Sequence, residues 1–241
     1  MRAGFGMGYK TPNPLTTQIK DYNIYSLLPI AAGVNAEKSY GGNFELNYKK
    51  EFGEGNSFFI NQAFFITQVQ RPVVAAEDAG GNLSFYNEQK NITTKGSDTY
   101  IQAAINHWEI YLGYTYTNAQ RNYLEQNKFV LFTPRHRAAA VVSYEIEGKW
   151  RFGIEASYTG YQYREDFSKT PGYVFMAAMI MKNLGPRFTL VLNCENVLDE
   201  RQSKYETLYT GSIANPQFKT LWAPIDGRVA NLSLRFQPFA K

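Results

Sequence analysis

The chain has 241 residues, 16% of them aromatic, and a mean hydropathy of -0.39, so polar residues dilute the apolar ones along its whole length. Its 25 basic and 21 acidic residues form no long run of like charge, which argues against a nucleic-acid partner. No stretch approaches the roughly 18 consecutive apolar residues of a transmembrane helix, and a single cysteine, Cys194, excludes an internal disulfide. A chain of this composition would cross a membrane only as a β-barrel.

Alternation of apolar and polar side chains is the dominant pattern and predicts ten strands. It is clearest over residues 150–159, where every even position is apolar or aromatic and no odd position is. In chain order, the predicted strands cover residues 2–10, 37–52, 57–71, 93–106, 108–121, 134–147, 149–164, 171–183, 187–200 and 226–236. Several reach the roughly 9 to 11 residues that cross a bilayer when tilted.

The connections between these strands alternate in length. Short turns are predicted at residues 53–56, 106–107, 147–149 and 184–186. Longer links are predicted between them, at residues 11–36, 72–92, 122–133, 165–170 and 201–225. In an up-and-down sheet this rhythm places all short turns at one end and all long loops at the other, as in outer-membrane barrels. The predicted fold is therefore all-β, a transmembrane antiparallel β-barrel of about ten up-and-down strands.

Several local motifs follow one another along the chain. Gly-Met-Gly-Tyr-Lys-Thr-Pro at 6–12 precedes Glu-Lys-Ser-Tyr at 37–40, and Tyr-Thr-Tyr-Thr-Asn-Ala at 114–119 precedes Pro-Arg-His at 134–136. Two further motifs flank the last long link: Asn-Val-Leu-Asp-Glu-Arg-Gln at 196–202 and Pro-Ile-Asp-Gly-Arg at 224–228. In this order and spacing, the motifs resemble the C-terminal barrel portion of TonB-dependent receptors, with a Bacteroidetes-like character.

The resemblance implies a single segment, residues 1–241, of a 22-stranded barrel in the bacterial outer membrane. Neither a plug domain nor a signal peptide is recognisable, so we expect a fragment whose two sheet edges prevent stable insertion on its own. The implied function is uptake of a scarce solute, such as an iron chelate, a cobalamin-like cofactor or a glycan. The implied partners are outer-membrane lipid, the TonB complex acting through the missing plug, and the barrel assembly machinery.

That machinery reads a C-terminal strand that ends in an aromatic residue, for which Phe236 is the candidate. The chain departs from the family's pattern because residues 237–241 follow this phenylalanine. Which phenylalanine serves as the terminal aromatic therefore stays open.

Candidate site residues fall into two groups. Five glutamates lie on the polar faces of predicted strands and are expected to solvate the barrel lumen rather than to contact a solute: Glu45, Glu109, Glu145, Glu155 and Glu195. Four aromatic residues of the last long link are candidate ligand contacts, although packing within the loop is the favoured interpretation: Tyr205, Tyr209, Phe218 and Trp222. Aromatic residues near strand ends are expected to form interfacial girdles, among them Tyr9, Tyr40, Trp150, Tyr161, Tyr163 and Tyr173.

No catalytic or metal-binding pattern accompanies these residues. The two histidines, His107 and His136, lack metal-ligand spacing, and Cys194 has no evident partner base. We therefore predict no enzymatic activity, no metal and no cofactor. Two alternatives remain: a complete ten-stranded outer-membrane barrel, acting as a porin or an enzyme, and a soluble β-sandwich binding module.

Overall fold

The computed structural model describes residues 1–13 and 27–238. No helix among these residues is long and apolar enough to cross a membrane, and β-strands dominate. The strands are β1 (Arg2–Lys10), β2 (Glu37–Phe52), β3 (Asn56–Gln70), β4 (Val73–Glu77), β5 (Leu83–Asn87), β6 (Ile92–Ile105), β7 (Trp108–Arg121), β8 (His136–Ile146), β9 (Trp150–Thr159), β10 (Tyr173–Asn183), β11 (Phe188–Glu195), β12 (Tyr209–Ser212), β13 (Asn215–Phe218) and β14 (Val229–Phe236).

Ten of these strands form one antiparallel sheet in the order β1-β2-β3-β6-β7-β8-β9-β10-β11-β14. The other four form two separate hairpins, β4–β5 and β12–β13, inside long links. The predicted all-β, up-and-down sheet is thus confirmed. A soluble sandwich would divide the strands between two facing sheets, so the single sheet does not favour that alternative.

The boundaries of the ten predicted strands agree with the structure to within three residues except at two places. The predicted strand at 149–164 ends at Thr159. The N–H of Gly160 still donates to the carbonyl of His136 at 2.8 Å, which continues the β8–β9 register by one residue. The predicted strand at 187–200 ends at Glu195, because Asn196 adopts a positive φ of 48°. Both errors extend a predicted strand into a long link. Residues 160–164 still alternate, but their aromatic side chains fall at odd positions, whereas those of β9 fall at even positions.

Contacts divide the chain into two compact units. The first comprises Met1–Glu45, Ala63–Ser97 and Thr117–Val130. Its core lies in the long link between β3 and β6, where Val73, Leu83 and Phe85 are buried against partly buried side chains of residues 27–34. The sequence pattern missed the β4–β5 hairpin, because each of its strands is only five residues long and turn-forming residues separate them.

The second unit comprises Leu46–Gln62, Asp98–Tyr116 and Leu131–Lys241. The strand register there separates two faces residue by residue. One transverse row, from β7 to β14, is entirely apolar or aromatic: Trp108, Tyr144, Phe152, Ile180, Leu192 and Leu232. The neighbouring row, on the opposite face, is mostly polar: Glu109, Ser143, Gly153, Met179, Asn193 and Asn231. Strand β10 is the exception, because Phe175, Ala177, Met179 and Met181 make its polar-side face apolar as well.

Candidate functional site

Three of the five glutamates that were predicted to face the barrel lumen are paired with arginine. Both carboxylate oxygens of Glu45 accept hydrogen bonds from Arg2, at 2.9 and 3.1 Å. Arg151 lies between Glu109 and Glu145, at 3.3 and 3.9 Å. These side chains are partly solvated, so each ion pair contributes little to stability. The arginines balance the negative charge of these glutamates, so the polar face carries charged groups without a concentration of negative charge.

Glu155 and Glu195 differ from the other three because neither pairs with a described cationic side chain. Both line an open hollow of about 240 Å³, in which Gly153 leaves room for the side chain of Met179. Glu155 pairs with Ala177 in the register, and Glu195 lies on the far side of that residue, two strand spacings or about 10 Å away. The structure therefore does not bring these two carboxylates into direct contact.

Trp222 is the centre of a cluster formed by two long links, residues 160–172 before β10 and residues 196–228 after β11. Its side chain is only 6% exposed, whereas Tyr205, Tyr209 and Phe218 are all exposed. The ring of Tyr205 lies 5.5 Å from the indole, that of Tyr173 lies 6.2 Å away, and the Arg164 guanidinium lies 5.6 Å from the ring centroid. Trp222 thus packs inside the link. We use the name Trp222 cluster for Trp222 and the residues around it: Tyr205, Tyr173, Arg164, Glu206 and Gln202.

Glu206 gathers the polar groups of the Trp222 cluster. Its Oε1 accepts from the indole N–H of Trp222 at 2.5 Å and from the amide of Gln202 at 3.1 Å, and its Oε2 accepts from Lys219 at 3.1 Å. Arg164 lies 3.5 Å from Oε1. Burial by itself would raise the pKa of Glu206, but the hydrogen bonds from Trp222 and Lys219 and the charge of Arg164 outweigh burial and lower the pKa.

Gln202 is a key residue of this cluster that sequence reasoning missed. It is fully buried at 0% exposure. Its carbonyl oxygen accepts from the backbone N–H groups of Trp222 and Ala223, at 2.9 and 3.4 Å, and its amide nitrogen donates to the carbonyl of Thr220 at 3.1 Å. All hydrogen-bonding capacity of the side chain is therefore satisfied inside the link. In the sequence, the only sign of its importance was that Gln202 is the last residue of the 196–202 motif.

Tyr209 and Phe218 lie opposite each other at the base of the β12–β13 hairpin, with ring centroids 6.4 Å apart. They are 48% and 78% exposed. Of the four predicted contact residues, Trp222 is therefore buried, Tyr205 is exposed but packs against Trp222, and Tyr209 and Phe218 form an exposed pair. An open cleft of about 360 Å³ lies beside this hairpin. Its lining mixes charge and aromatic surface: Phe132, Arg164, Glu165, Asp166, Glu206, Phe218, Lys219 and Thr220.

The motif at 196–202 builds the base of the same link. Asn196, 2% exposed, accepts from the backbone N–H of Glu200 at 2.7 Å and donates to the carbonyls of Glu200 and Asp226, at 2.8 and 2.9 Å. The carboxylate of Asp199 accepts from the backbone N–H of Arg228 at 3.2 Å. The asparagine and aspartate of the motif thus fasten the end of β11 to the segment that leads into β14.

Aromatic side chains gather on the apolar face near the short turns. Trp150 stacks on Phe152 with centroids 5.7 Å apart and carries the Lys182 ammonium 4.6 Å above its ring. Tyr173, by contrast, packs on Trp222, and Tyr161 and Tyr163 lie in the link beyond β9, where they contact each other edge to face. Of the second unit's residues named as girdle candidates, only Trp150 thus lies on the apolar strand face.

The two histidines and the cysteine lie on or beside strands of the sheet, where their neighbours are aromatic or small apolar side chains. Nδ1 of His136 lies 2.8 Å from the hydroxyl of Tyr114 on the apolar face, and His107 packs edge to face on Tyr144. Cys194 is a free thiol of β11 in register with Ala178 and Ala230. Residues 1–13 and 27–238 contain no group of three or more histidine, cysteine, aspartate or glutamate side chains that could hold a metal ion.

A family model described as TonB dependent receptor-like, beta-barrel matches residues 1–197. The chain belongs to the TonB-dependent receptor family. Members of this family are outer-membrane proteins, so the chain is assigned to the outer membrane. A search among curated proteins found no match.

Solved structures resemble this chain over nearly all of its length. The ferric enterobactin receptor of Pseudomonas aeruginosa matches with a TM-score of 0.67 and 14% identity, covering 97% of this chain and 37% of that one. The copper transporter OprC matches with a TM-score of 0.66 and 15% identity, covering 97% and 36%. The FrpB iron transporter of Neisseria meningitidis has a TM-score of 0.66 and 12% identity, covering 97% and 36%. The chain therefore spans about a third of the length of these receptors and transporters, and the likeness shows their fold.

Proposed function

We propose that this chain forms the wall and outer loops of a receptor that takes up a scarce solute through the outer membrane with energy supplied by TonB. One observation carries the proposal: a single ten-stranded sheet of a TonB-dependent receptor joins its strands by short turns at one end and by structured links at the other. Structured links with exposed side chains are suited to binding a solute. The Trp222 cluster holds one of these links in a defined shape.

The apolar face of the sheet is proposed to contact lipid. In the second unit, its middle rows carry aliphatic side chains such as Val142, Ile154 and Leu192, and aromatic residues gather toward the short turns. Amphipathic rings are stable at the level of lipid headgroups, and aliphatic side chains are stable in the hydrocarbon. The opposite face, with its paired glutamates and arginines, is proposed to line the lumen.

The solute is proposed to be a metal chelate. The similar solved structures are a ferric enterobactin receptor, a copper transporter and an iron transporter, each of which handles a metal by its description. Because the chain spans about a third of such receptors, a plug domain encoded elsewhere in the protein is proposed to fill the lumen and to connect with TonB.

Strand β14 is proposed to be read by the barrel assembly machinery. It lies at one end of the strand order, and Phe236 stacks on Phe188 of β11 with ring centroids 4.9 Å apart. This contact holds the aromatic side chain on the apolar face, where a recognition partner in the membrane would meet it.

The test is uptake of radiolabelled iron by cells that carry the complete receptor, with and without a functional TonB. Three iron complexes of different charge are supplied: those of citrate, of a tris-catechol and of a trihydroxamate. We expect accumulation of at least one complex that depends on both the receptor and TonB. Equal accumulation without TonB would instead support a passive porin, and no accumulation of any complex would contradict a role in metal-chelate uptake.

A further inference from the structure

The link between β3 and β6 contains two adjoining clefts in the first unit, with volumes of about 480 and 460 Å³. Both are lined by Arg71 and Gln89, so we treat them as one feature, the Arg71 cleft. Its remaining lining is rich in amides: Ala31, Gly33, Val34, Asn35, Gln70, Phe85, Tyr86, Asn87, Lys90, Asn91 and Asn122. Among the described residues, 1–13 and 27–238, no acidic side chain lines either part.

Arg71 and Lys90 are the cationic groups that line the Arg71 cleft. Within the residues that the structure describes, the side chains of Arg71 and Lys90 make no hydrogen bond and no salt bridge, and the amides of Gln70 and Gln89 are equally unengaged. The cleft beside the β12–β13 hairpin differs, because there Arg164 and Lys219 both face Glu206. A positive charge that is already neutralised attracts an anion weakly, so the two clefts have different ligand preferences.

Arg71 is held in a strained backbone conformation that sets the direction of its side chain. Its φ is 52°, a region that costs a non-glycine residue about 1 to 2 kcal/mol. The Asn87 side chain donates to the carbonyl of Arg71 at 2.8 Å, and the same side chain binds both the N–H and the carbonyl of Asn35, at 2.7 and 3.0 Å. Strain that surrounding contacts maintain is characteristic of functional positions.

The opposite side of the cleft is equally fixed. Asn122 donates through its side chain to Asn91 at 2.7 Å and to Thr93 at 2.9 Å, and its backbone N–H donates to the carbonyl of Asn91 at 3.0 Å. Glu88, the acidic residue nearest to Lys90 in sequence, does not line the cleft. It accepts a hydrogen bond from the Tyr86 hydroxyl at 3.2 Å. The cations therefore project from a rigid frame.

We infer that the Arg71 cleft binds an anionic, oxygen-rich group, with Arg71 and Lys90 holding its negatively charged oxygens and the glutamine amides donating further hydrogen bonds. Guanidinium groups bind paired carboxylate-like oxygens through two parallel hydrogen bonds, and a lysine ammonium adds a compact point charge. The inference rests on the proposed uptake function and narrows it to solutes that carry such a group at the outer surface.

Citrate binding to the complete receptor, purified in detergent, tests this inference by calorimetry at low ionic strength. The double variant Arg71→Ala, Lys90→Ala is expected to bind citrate at least tenfold more weakly than the wild type, and the uncharged trimethyl ester of citrate is expected not to bind. Lys128→Ala is the matched control for Lys90→Ala, because each removes one lysine charge from an outer link. The control is expected to leave citrate affinity within twofold.

Arg71→Gly separates binding from folding. Glycine adopts a positive φ without strain, so this variant is expected to lose citrate binding while its thermal unfolding temperature stays at or above that of the wild type. Failure of the wild-type receptor to bind citrate, or equal weakening by Lys128→Ala and Lys90→Ala, would overturn the inference. Because calorimetry needs neither TonB nor energy, this result is independent of the uptake experiment.

Discussion

The indole nitrogen of Trp222 donates a 2.5 Å hydrogen bond to Oε1 of Glu206, which lies 16 residues earlier in the chain. Glu206 also faces Arg164, a residue of the link between β9 and β10. Through this carboxylate, the indole side chain connects two outer links that are separate in sequence. The connection explains why an aromatic residue far from any strand pattern is buried.

Replacing Trp222 with Phe tests the value of this bond. Phenylalanine keeps much of the apolar surface but cannot donate to Glu206, and a hydrogen bond to a charged group is worth about 1.5 to 3 kcal/mol. We expect local opening of residues 202–222 to become more favourable by about that amount, measured by amide hydrogen exchange in the complete receptor. Tyr209→Phe is the control, because it removes a polar group from an exposed aromatic residue of the same link and should leave exchange unchanged.

Acid should loosen the Trp222 cluster through Glu206. Its pKa in the folded state lies below 4.5, the ordinary value, so the carboxylate's contribution is fully present above that value and is lost as the pH falls through the lowered folded-state pKa. We expect protease cleavage within the link to increase in that acidic range and to stay low at neutral pH. Glu206→Gln removes the titrating group, so its cleavage should be higher at neutral pH and should vary much less with pH. A wild-type pH profile that matches the Gln variant would contradict this role.

The sequence predicted the sheet well because lipid and lumen impose opposite demands on alternate residues. Trp150 to Tyr158 shows this: each even side chain lies on the apolar face, as the register confirms. The motif at 196–202 was recognised from its resemblance to the family, and in the structure its Asn196 and Asp199 bond to Asp226 and Arg228. A pattern with period two carries this information because every residue of a strand faces one of two environments.

The link interiors could not be predicted in the same way. Gln202 is polar and resembles any surface residue, yet it is buried because three partners distant in sequence satisfy its amide. The hairpins β4–β5 and β12–β13 are too short for alternation to stand out. Tyr173 was expected in an interfacial girdle, whereas the structure packs it against Trp222 in the links. Such contacts depend on which links meet in space, which no local pattern encodes.

Asn196→Gly should weaken the base of the last link. Glycine accepts the positive φ of 48° without cost, so the variant isolates the loss of the side-chain bonds to Glu200 and Asp226. Buried backbone groups that lose their partners cost about 1 to 3 kcal/mol. We expect a decrease of that size in the free energy of unfolding, measured by urea titration of the complete receptor in lipid vesicles. Leu198→Ala, at a 47% exposed position of the same turn, should change it by less than about 0.5 kcal/mol.

Ile154 and Glu155 test the assignment of the two faces, because they are adjacent in the middle of β9 and point to opposite sides of the sheet. Arginine at Ile154 would place a charge on the proposed lipid face and should cost about 2 to 4 kcal/mol near the bilayer midplane, whereas arginine at Glu155 should cost almost nothing. The measurement is the urea dependence of unfolding in vesicles for Ile154→Arg and Glu155→Arg, side by side. Equal stability of the two variants, or a larger loss for Glu155→Arg, would mean that the apolar face of β9 does not contact lipid.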